Sequence, residues 1–211
     1  MGRIVTVDQD FPERSVIDEA VAVLAFGGVL VMPTDSVYGI GCAATPNNPG
    51  HGRIFGIKRR DLSQTLPWLI ADAGDLMRYA AELTPAAVAL ATAFWPGALT
   101  LVVRASEEVA PEYRNADGTI ALRLPNSNLV REIARRCGCA LATTSANTHG
   151  EAAAISGSTV EERIVMNADL TLDAGPAPIA IASTIVDVTG AKPRILREGA
   201  IPRERILAAL M

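Results

Sequence analysis

Apolar residues along this chain follow two patterns, helical spacing and short uninterrupted runs. Helical spacing predicts helices over 13–28, 86–94, 126–138 and 202–210, and a shorter helix or turn over 52–60. The uninterrupted runs predict strands over 29–32, 67–71, 98–105, 119–125, 139–147, 183–189 and 194–199. Because helices and strands are interleaved, we expect an α/β (α+β) fold, a mixed sheet with helices on its faces.

Small and polar residues mark the ends of these elements. Thr84 followed by Pro85 is a typical helix start, and we expect Asn126 to cap a later helix that ends at a glycine. Ser158 and Glu161 have the spacing of a capping box. Segment 46–51 reads as a turn-rich loop. Since no long linker or repeat interrupts the pattern, we expect a single domain over 1–211.

The composition narrows the class of protein. Of 211 residues, 49% are apolar and 20% are charged, and the net charge of −4 argues against a strongly basic nucleic-acid binder. Three cysteines without a framework spacing indicate a reducing compartment, and two distant histidines offer too few ligands for a structural metal site. Without a signal-peptide segment or an apolar run of the ~20 residues that span a bilayer, we expect a cytoplasmic protein without membrane contacts.

Five apolar segments run directly into hydroxyl-bearing or basic residues. Because ligands bind beyond the carboxyl ends of strands in open α/β sheets, and cations bind phosphate or carboxylate, this pattern predicts an anion site. The residues are Thr34, Asp35 and Ser36 after Met32; Lys58, Arg59 and Arg60 after Ile57; Arg123 after Leu122; Thr143, Thr144 and Ser145 after Leu141; and Arg197 after Leu196.

Each of these groups also has a plain structural interpretation. Thr34 and Ser36 can form a local hydroxyl turn, and the three cations from Lys58 can be a solvated helix end. Arg123 can form a surface ion pair, and Tyr38 can serve packing. Ser145 lacks a G-x-S-x-G context and a nearby base, and the known nucleotide-binding glycine motifs are missing. The residues alone therefore indicate an α/β domain with an anion site.

Six segments, in order and spacing, resemble the YrdC-like family. They are "PTDSVYGIGC", "IKRR", "FWPGALTLVV", "TIALRLPNS", "TTSANTHG" and "STIVDVTGAKPRILREGAIP". The resemblance covers roughly residues 14–202. The chain resembles the short, single-domain type rather than the longer members that carry a second C-terminal domain.

The resemblance implies a fold and a reaction. The fold would be a twisted mixed sheet with flanking helices around a deep electropositive cavity. The enzyme would be a nucleotidyltransferase that converts L-threonine, bicarbonate and ATP, with Mg²⁺ carried by the nucleotide, into threonylcarbamoyl-AMP and pyrophosphate. Downstream threonylcarbamoyl-transferase machinery would then modify adenosine 37 of tRNA.

The resemblance also implies roles for single residues. Lys58 and Arg60, the family's K-x-R, would neutralise the triphosphate and the leaving pyrophosphate, and Arg123 would hold the threonine carboxylate. Gly39 and Gly41 would let the backbone approach closely. Further matches line the threonine pocket, at Thr34, Tyr38, Thr143 and Ser183, or contact the nucleotide, at Thr119, Ser145, Asn147 and Arg197.

Some positions depart from the family pattern. Asp61 stands where a proline is usual, and Ala153 stands where a nucleotide-side hydroxyl is expected. Ala71 or Asp72 stands where some members carry a histidine near the threonine. One alternative is therefore a YciO-like paralogue without synthase activity.

A second alternative is a module that binds double-stranded RNA or tRNA. Net acidity and the lack of an aromatic RNA-binding surface argue against it. We expect any RNA contact to be weak and salt-sensitive, because only one local cluster could supply the phosphate contacts. That cluster is Arg53, Lys58, Arg59 and Arg60.

Overall fold

A computed structural model describes residues 2–61 and 64–211. Within them, ten strands form one sheet. They are β1 (Arg3–Thr6), β2 (Leu30–Met32), β3 (Gly39–Ala43), β4 (Trp68–Leu69), β5 (Leu99–Arg104), β6 (Thr119–Arg123), β7 (Leu141–Ser145), β8 (Leu170–Asp173), β9 (Thr184–Asp187) and β10 (Arg194–Arg197). Their order across the sheet is β1-β8-β2-β3-β7-β4-β6-β5-β9-β10.

The sheet mixes parallel and antiparallel pairs. Strand β8 is parallel to both β1 and β2, and the pairs β4–β6 and β5–β9 are also parallel. The remaining neighbours are antiparallel. The predicted fold class, a twisted mixed sheet with flanking helices, is therefore confirmed.

Seven α-helices flank this sheet in the described residues. They are α1 (Arg14–Ala25), α2 (Pro49–Lys58), α3 (Asp75–Tyr79), α4 (Pro85–Phe94), α5 (Asn128–Cys137), α6 (Glu162–Asn167) and α7 (Arg203–Ala208). The predicted start of α4 is confirmed, because Thr84 Oγ1 accepts the N–H of Ala87 at 3.1 Å. None of the helices in 2–61 and 64–211 combines the length and apolar character needed to span a bilayer.

Apolar cores lie on both faces of the sheet. Helices α1 and α5 cover one face, where Leu24 and Ile133 join a cluster with Leu30 and Leu172. Helices α2 and α4 cover the other face together with a group of aromatic rings. That group contains Phe55, Trp68, Tyr79 and Tyr113.

Strand β6 shows where the helical cover ends. Ile120 and Leu122 are buried in the α2/α4 core, so the alternate residues Thr119, Ala121 and Arg123 lie on the face that carries α1 and α5. Helices α1 and α5 contact β2, β3 and β4 on that face. Beyond those strands, small and polar residues line an open cavity instead of a core.

Several element predictions need correction. Strands β1, β3 and β8 were not predicted, and β3 reads Gly-Ile-Gly-Cys-Ala, whose glycines count against a strand. Helix α2 begins at Pro49, inside the segment predicted to be a loop. Ile57 and Lys58 belong to this helix, which confirms a helix in the segment predicted as a helix or turn.

Two predicted caps are also wrong. The capping box is formed by Ser156 and Thr159 around a single 3-10 turn, and α6 begins without a side-chain cap. Helix α5 is capped by Ser127, whose Oγ accepts the N–H of Val130 at 3.4 Å, one residue later than the predicted asparagine. In both cases a neighbouring hydroxyl-bearing residue forms the cap instead.

Candidate active site

A cavity of about 510 Å³ opens on the part of the sheet that α1 and α5 leave uncovered. Segments from seven strands and from the chain after α2 meet around it. Nine of the residues predicted for the site line its wall: Thr34, Tyr38, Arg60, Arg123, Thr143, Ser145, Asn147, Ser183 and Arg197. Two predicted residues, Lys58 and Thr119, do not.

Arg60 lies half-buried at one end of the cavity. Its Nη1 donates to Thr144 Oγ1 at 2.9 Å, and its Nη2 donates to the carbonyl of Thr65 at 3.1 Å. Its Nε is buried and has no partner within 2–61 and 64–211. Burial lowers the pKa of the guanidinium. Because its described partners are neutral oxygens, the charge of Arg60 remains available to an anion.

Arg197 is more exposed than Arg60, but it also contacts neutral oxygens. Its Nε and Nη2 donate to the carbonyl of Ser183 at 3.1 and 2.8 Å, and Nη2 also reaches Ser183 Oγ at 3.2 Å. Ser183 Oγ lies 2.8 Å from Thr100 Oγ1. Burial lowers the pKa of Arg197. Among the described carboxylates, none forms an ion pair with Arg197 either.

Arg123 differs, because it is buried and ion-paired. Its Nη2 donates to Asp35 Oδ1 at 2.5 Å, its Nη1 to Ser36 Oγ at 2.6 Å, and its Nε to the carbonyl of Gly97 at 3.0 Å. Burial lowers the pKa of Arg123, Asp35 opposes that shift, and the nearby charge of Arg197 adds to it. Each terminal nitrogen carries two N–H groups and donates one, so one on each has no described partner. The alternative of a surface ion pair is wrong, since only 6% of Arg123 is exposed.

Two predicted threonine-pocket residues are engaged in local structure. Thr34 Oγ1 accepts the N–H of Ser36 at 3.1 Å and donates to the carbonyl of Val37 at 2.7 Å, which confirms the hydroxyl turn. The Tyr38 hydroxyl donates to the carbonyl of Gly175 at 2.6 Å, and burial raises its pKa to about 12. Their roles toward a ligand stay predictions.

Gly39 and Gly41 make room for a neighbouring strand. Thr143 lies opposite Gly41 in the β3–β7 pair, and a Cβ at Gly41 would lie 2.5 Å from Thr143 Oγ1 and 2.9 Å from the carbonyl oxygen of Ala142. A Cβ at Gly39 would lie 2.7 Å from Thr143 Cγ2. The close approach that we expected therefore involves a protein side chain.

Lys58 is buried beneath the cavity wall, at the end of α2. Its Nζ donates to the carbonyls of Ser145 and Asn147, both at 2.5 Å, and to Asn147 Oδ1 at 3.3 Å. The carbonyl of Lys58 accepts the N–H of His149 at 3.0 Å. Burial lowers the pKa of Lys58 to about 8. Neither predicted surrounding, a solvated helix end or an open triphosphate site, matches this position.

Several wall residues were missed. Thr119 is set back, and Asn115 stands in front of it, donating through Nδ2 to Thr119 Oγ1 at 2.9 Å. Asn115 also accepts a hydrogen bond from Thr65 Oγ1. Thr65 and Asn115 belong to segments without apolar periodicity, and only their proximity to "KRR" and "TIALR" could have drawn attention to them.

The wall lacks a reactive nucleophile with a base. No histidine or cysteine lines the cavity in the described part of the chain. Ser145 is on the wall, but its described surroundings supply no imidazole. The buried thiol of Cys42 has its pKa raised to about 12. The geometry favours chemistry by binding and charge stabilisation over covalent catalysis.

Comparison with known families fits this architecture. The family model Sua5_yciO_yrdC, described as "Telomere recombination", matches residues 22–199. The chain belongs to the Sua5/YciO/YrdC family. The resemblance seen in the six sequence segments is thereby confirmed.

Individual members of the Sua5/YciO/YrdC family extend the comparison. A protein of Mycobacterium tuberculosis (strain ATCC 25618 / H37Rv), named "Putative threonylcarbamoyl-AMP synthase", is 33% identical over 203 residues, which cover 96% of this chain and 92% of that protein. Sua5 of P. abyssi, solved in complex with L-threonine, is 31% identical with a TM-score of 0.92. The match covers 98% of this chain but only 60% of the P. abyssi chain. E. coli YciO, at 24% identity and a TM-score of 0.88, supports the fold alone; that match covers 98% of this chain and 100% of YciO.

Two departures from the family pattern can be placed in the structure. Ala153 lies on the cavity wall, where it offers a methyl group instead of the expected hydroxyl. Ala71 is buried with the α1/α5 core. Asp72 is exposed and pairs with Arg135 at 3.0 Å, so it does not face the cavity.

The basic cluster expected to contact RNA does not form a single exposed patch. Arg53 pairs with Asp169 at 2.7 Å, Lys58 is buried and Arg60 lies in the cavity. Arg59 is exposed, because its left-handed conformation, with φ of 52°, ends α2 and turns it outward. These four residues therefore do not form one basic surface, and weak, salt-sensitive RNA binding stays a prediction.

Proposed function

We propose that this protein makes threonylcarbamoyl-AMP and pyrophosphate from L-threonine, bicarbonate and ATP. The observation that carries the proposal is the difference between the hydrogen-bond partners of the three arginines on the cavity wall. Arg60 and Arg197 contact neutral oxygens, which suits a triphosphate. Arg123 is ion-paired but has two N–H groups to spare, which suits a single carboxylate. The names of the relatives, and the P. abyssi complex with L-threonine, support the same function.

The reaction needs no covalent enzyme intermediate. The threonine amine and bicarbonate form a carbamate with loss of water. A carbamate oxygen then attacks the α-phosphorus of ATP, and pyrophosphate leaves. Such transfers depend mainly on alignment and on neutralising the charge of the leaving group, and a wall of arginines and hydroxyls supplies both.

Each cation has its own part in this scheme. The spare N–H groups of Arg123 bind the threonine carboxylate, and Arg60 and Arg197 neutralise the phosphates. Lys58 acts indirectly. Its hydrogen bonds to the carbonyls of residues 145 and 147 hold in place the loop that carries the nucleotide-side polar groups. Mg²⁺ would enter with the ATP substrate. Within 2–61 and 64–211 no three His, Cys, Asp or Glu side chains form a metal-ligand set, so the phosphates would supply its ligands.

We treat 1–211 as one catalytic domain of a cytoplasmic nucleotidyltransferase. Its product is a mixed anhydride, which is reactive and must pass to a transferase that modifies adenosine 37 of tRNA. Binding of tRNA by this chain itself has no support from the dispersed basic cluster.

The direct test is product formation. Purified protein is incubated with Mg²⁺-ATP, bicarbonate and ¹⁴C-threonine, and the nucleotide fraction is separated. We expect label in threonylcarbamoyl-AMP with equimolar pyrophosphate, and neither product when bicarbonate is removed. If ATP and threonine bind but no labelled nucleotide forms, the chain is a YciO-like paralogue and the proposal fails.

A further inference from the structure

Asp35 is set apart by its partner and its burial. Among the described residues it provides the only carboxylate paired with a cavity arginine, and it is 3% exposed. Its Oδ1 accepts from Arg123 at 2.5 Å, whereas its Oδ2 is buried without a partner in 2–61 and 64–211. The Thr34 turn and the N–H of Ile179, which donates to the Asp35 carbonyl at 2.9 Å, hold the residue in place.

This carboxylate changes the charge at one end of the cavity. Arg123 and Asp35 together are neutral, whereas Arg60 and Arg197 have no described carboxylate partner. The charge of Arg197 also acts on Arg123, so among the described residues Asp35 alone offsets positive charge here. A zwitterionic amino acid brings one carboxylate and its own ammonium to the neutral Arg123–Asp35 pair. A phosphate group there would bring two negative charges close to Asp35, in a buried place where solvent screens them poorly. Asp35 itself lies behind the wall, and Glu151, the acid among the described wall residues, is exposed.

We infer that Asp35 is a specificity-determining residue that excludes phosphate groups from the amino-acid end of the cavity. It acts through Arg123, whose charge it balances, rather than by touching substrate. The triphosphate and the amino acid then bind in one orientation, because the competing arrangement is made unfavourable. This inference rests on the proposed function.

The test measures threonine binding in the presence of inorganic pyrophosphate. In the wild-type protein, saturating pyrophosphate should change the threonine Kd by less than twofold, because the two ligands occupy different ends. In Asp35→Asn, an uncompensated Arg123 should admit pyrophosphate and raise the threonine Kd at least tenfold. If pyrophosphate does not change the threonine Kd of Asp35→Asn, the inference is wrong.

The control is Asp72→Asn, which makes the same charge change in an exposed Asp–Arg pair. It should behave like the wild-type protein. If it shows the same competition as Asp35→Asn, net charge is the cause and the inference fails. Asp35→Glu, which restores the charge, should restore the exclusion of pyrophosphate.

A second measurement needs no variant and so does not depend on the folding of Asp35→Asn. The phosphonate analogue of threonine, 1-amino-2-hydroxypropylphosphonate, carries a second negative charge at the carboxylate position. It should bind the wild-type protein at least tenfold more weakly than threonine, and equal affinity would contradict the inference. If threonine binds with this selectivity but no threonylcarbamoyl-AMP forms, the proposed function fails alone.

Discussion

The two ends of the cavity hold their cations in different ways. At one end Arg123 is buried and bound to a carboxylate, and at the other Arg60 is half-buried with neutral partners. Removing Arg123 would leave Asp35 as a buried unpaired charge, whereas removing Arg60 would leave no described charge without a partner. Cations on the wall of a ligand cavity can therefore contribute to the stability of the fold and to ligand binding in very different proportions.

Lys58 represents the extreme case in this comparison. It comes from the same short motif as Arg60, yet its amine bonds to protein carbonyls and its side chain is 1% exposed. The position of a cation in a sequence motif therefore does not show whether its side chain is exposed to solvent. The following predictions test how far the division between fold and ligand extends.

The largest expected effect is on the stability of Arg123→Ala. Because Asp35 would lose its partner in a buried site, we expect the free energy of unfolding to fall by about 3–5 kcal/mol. Urea denaturation measures this change. Arg197→Ala is the matched control, since its guanidinium has no described carboxylate partner, and it should lose much less. Equal losses in the two variants would remove the distinction between paired and unpaired arginines.

Lys58→Ala should destabilise the protein by about 1–3 kcal/mol, because two buried carbonyls lose their donor. It should also lower turnover, since the loop around Asn147 would be released. Arg59→Ala, the exposed neighbour, should stay within about 0.5 kcal/mol of the wild-type protein. If Lys58→Ala melts at the wild-type temperature, the lysine does not serve the fold and its role as a phosphate ligand gains support.

Arg60→Ala should show the opposite profile, with activity lost and stability kept. Loss of a preorganised charge in an active site typically lowers turnover by ~10²–10³, and we expect threonine-dependent pyrophosphate release to fall at least about tenfold. Its melting temperature should barely change. The same Arg59→Ala variant is the control, and it should keep nearly full activity. If these two variants lose activity equally, the cavity position of Arg60 is irrelevant.

The smallest effect concerns pH. Burial, then the charges of Arg60 and Arg163, lower the pKa of Lys58 from 10.5 to about 8, and Glu161 opposes this. Between those two pH values the unfolded chain binds more protons than the folded one, so the free energy of unfolding should rise with pH. The slope for one group is at most ~1.4 kcal/mol per pH unit.

Lys58→Met lacks this titration and should therefore show a flatter profile. The difference between the two proteins, followed by urea denaturation from pH 7.5 to 10.5, isolates the contribution of the lysine. If the free energy of unfolding of the wild-type protein falls relative to that of Lys58→Met as pH rises, the folded protein favours the charged amine and the prediction is wrong.

Much of the architecture follows from local sequence signals. Helices α1, α4 and α5 were predicted because their apolar residues repeat with the helical period and their ends carry caps or glycines. The glycine-rich β3 was missed because its strand conformation is imposed by its two neighbours, β2 and β7.

The site was harder to predict than the fold. Motif spacing placed most of the correct side chains on the cavity wall, but it did not show which atoms they contact. The Asp35–Arg123 pair joins residues 88 positions apart, and no local pattern reports such a bond. The sequence also does not show whether a lysine at the end of a helix faces water or turns inward, as Lys58 does.

The contact between Gly41 and Thr143 has a consequence for how this sequence can diverge. A methyl group at position 41 would collide with the branched side chain at 143 and with the carbonyl of Ala142. A descendant could accept alanine at 41 only after position 143 had become smaller and the strands had moved apart. The motifs "PTDSVYGIGC" and "TTSANTHG" are thus coupled at positions 41 and 143, and we expect a larger residue at 41 only together with a change at 143.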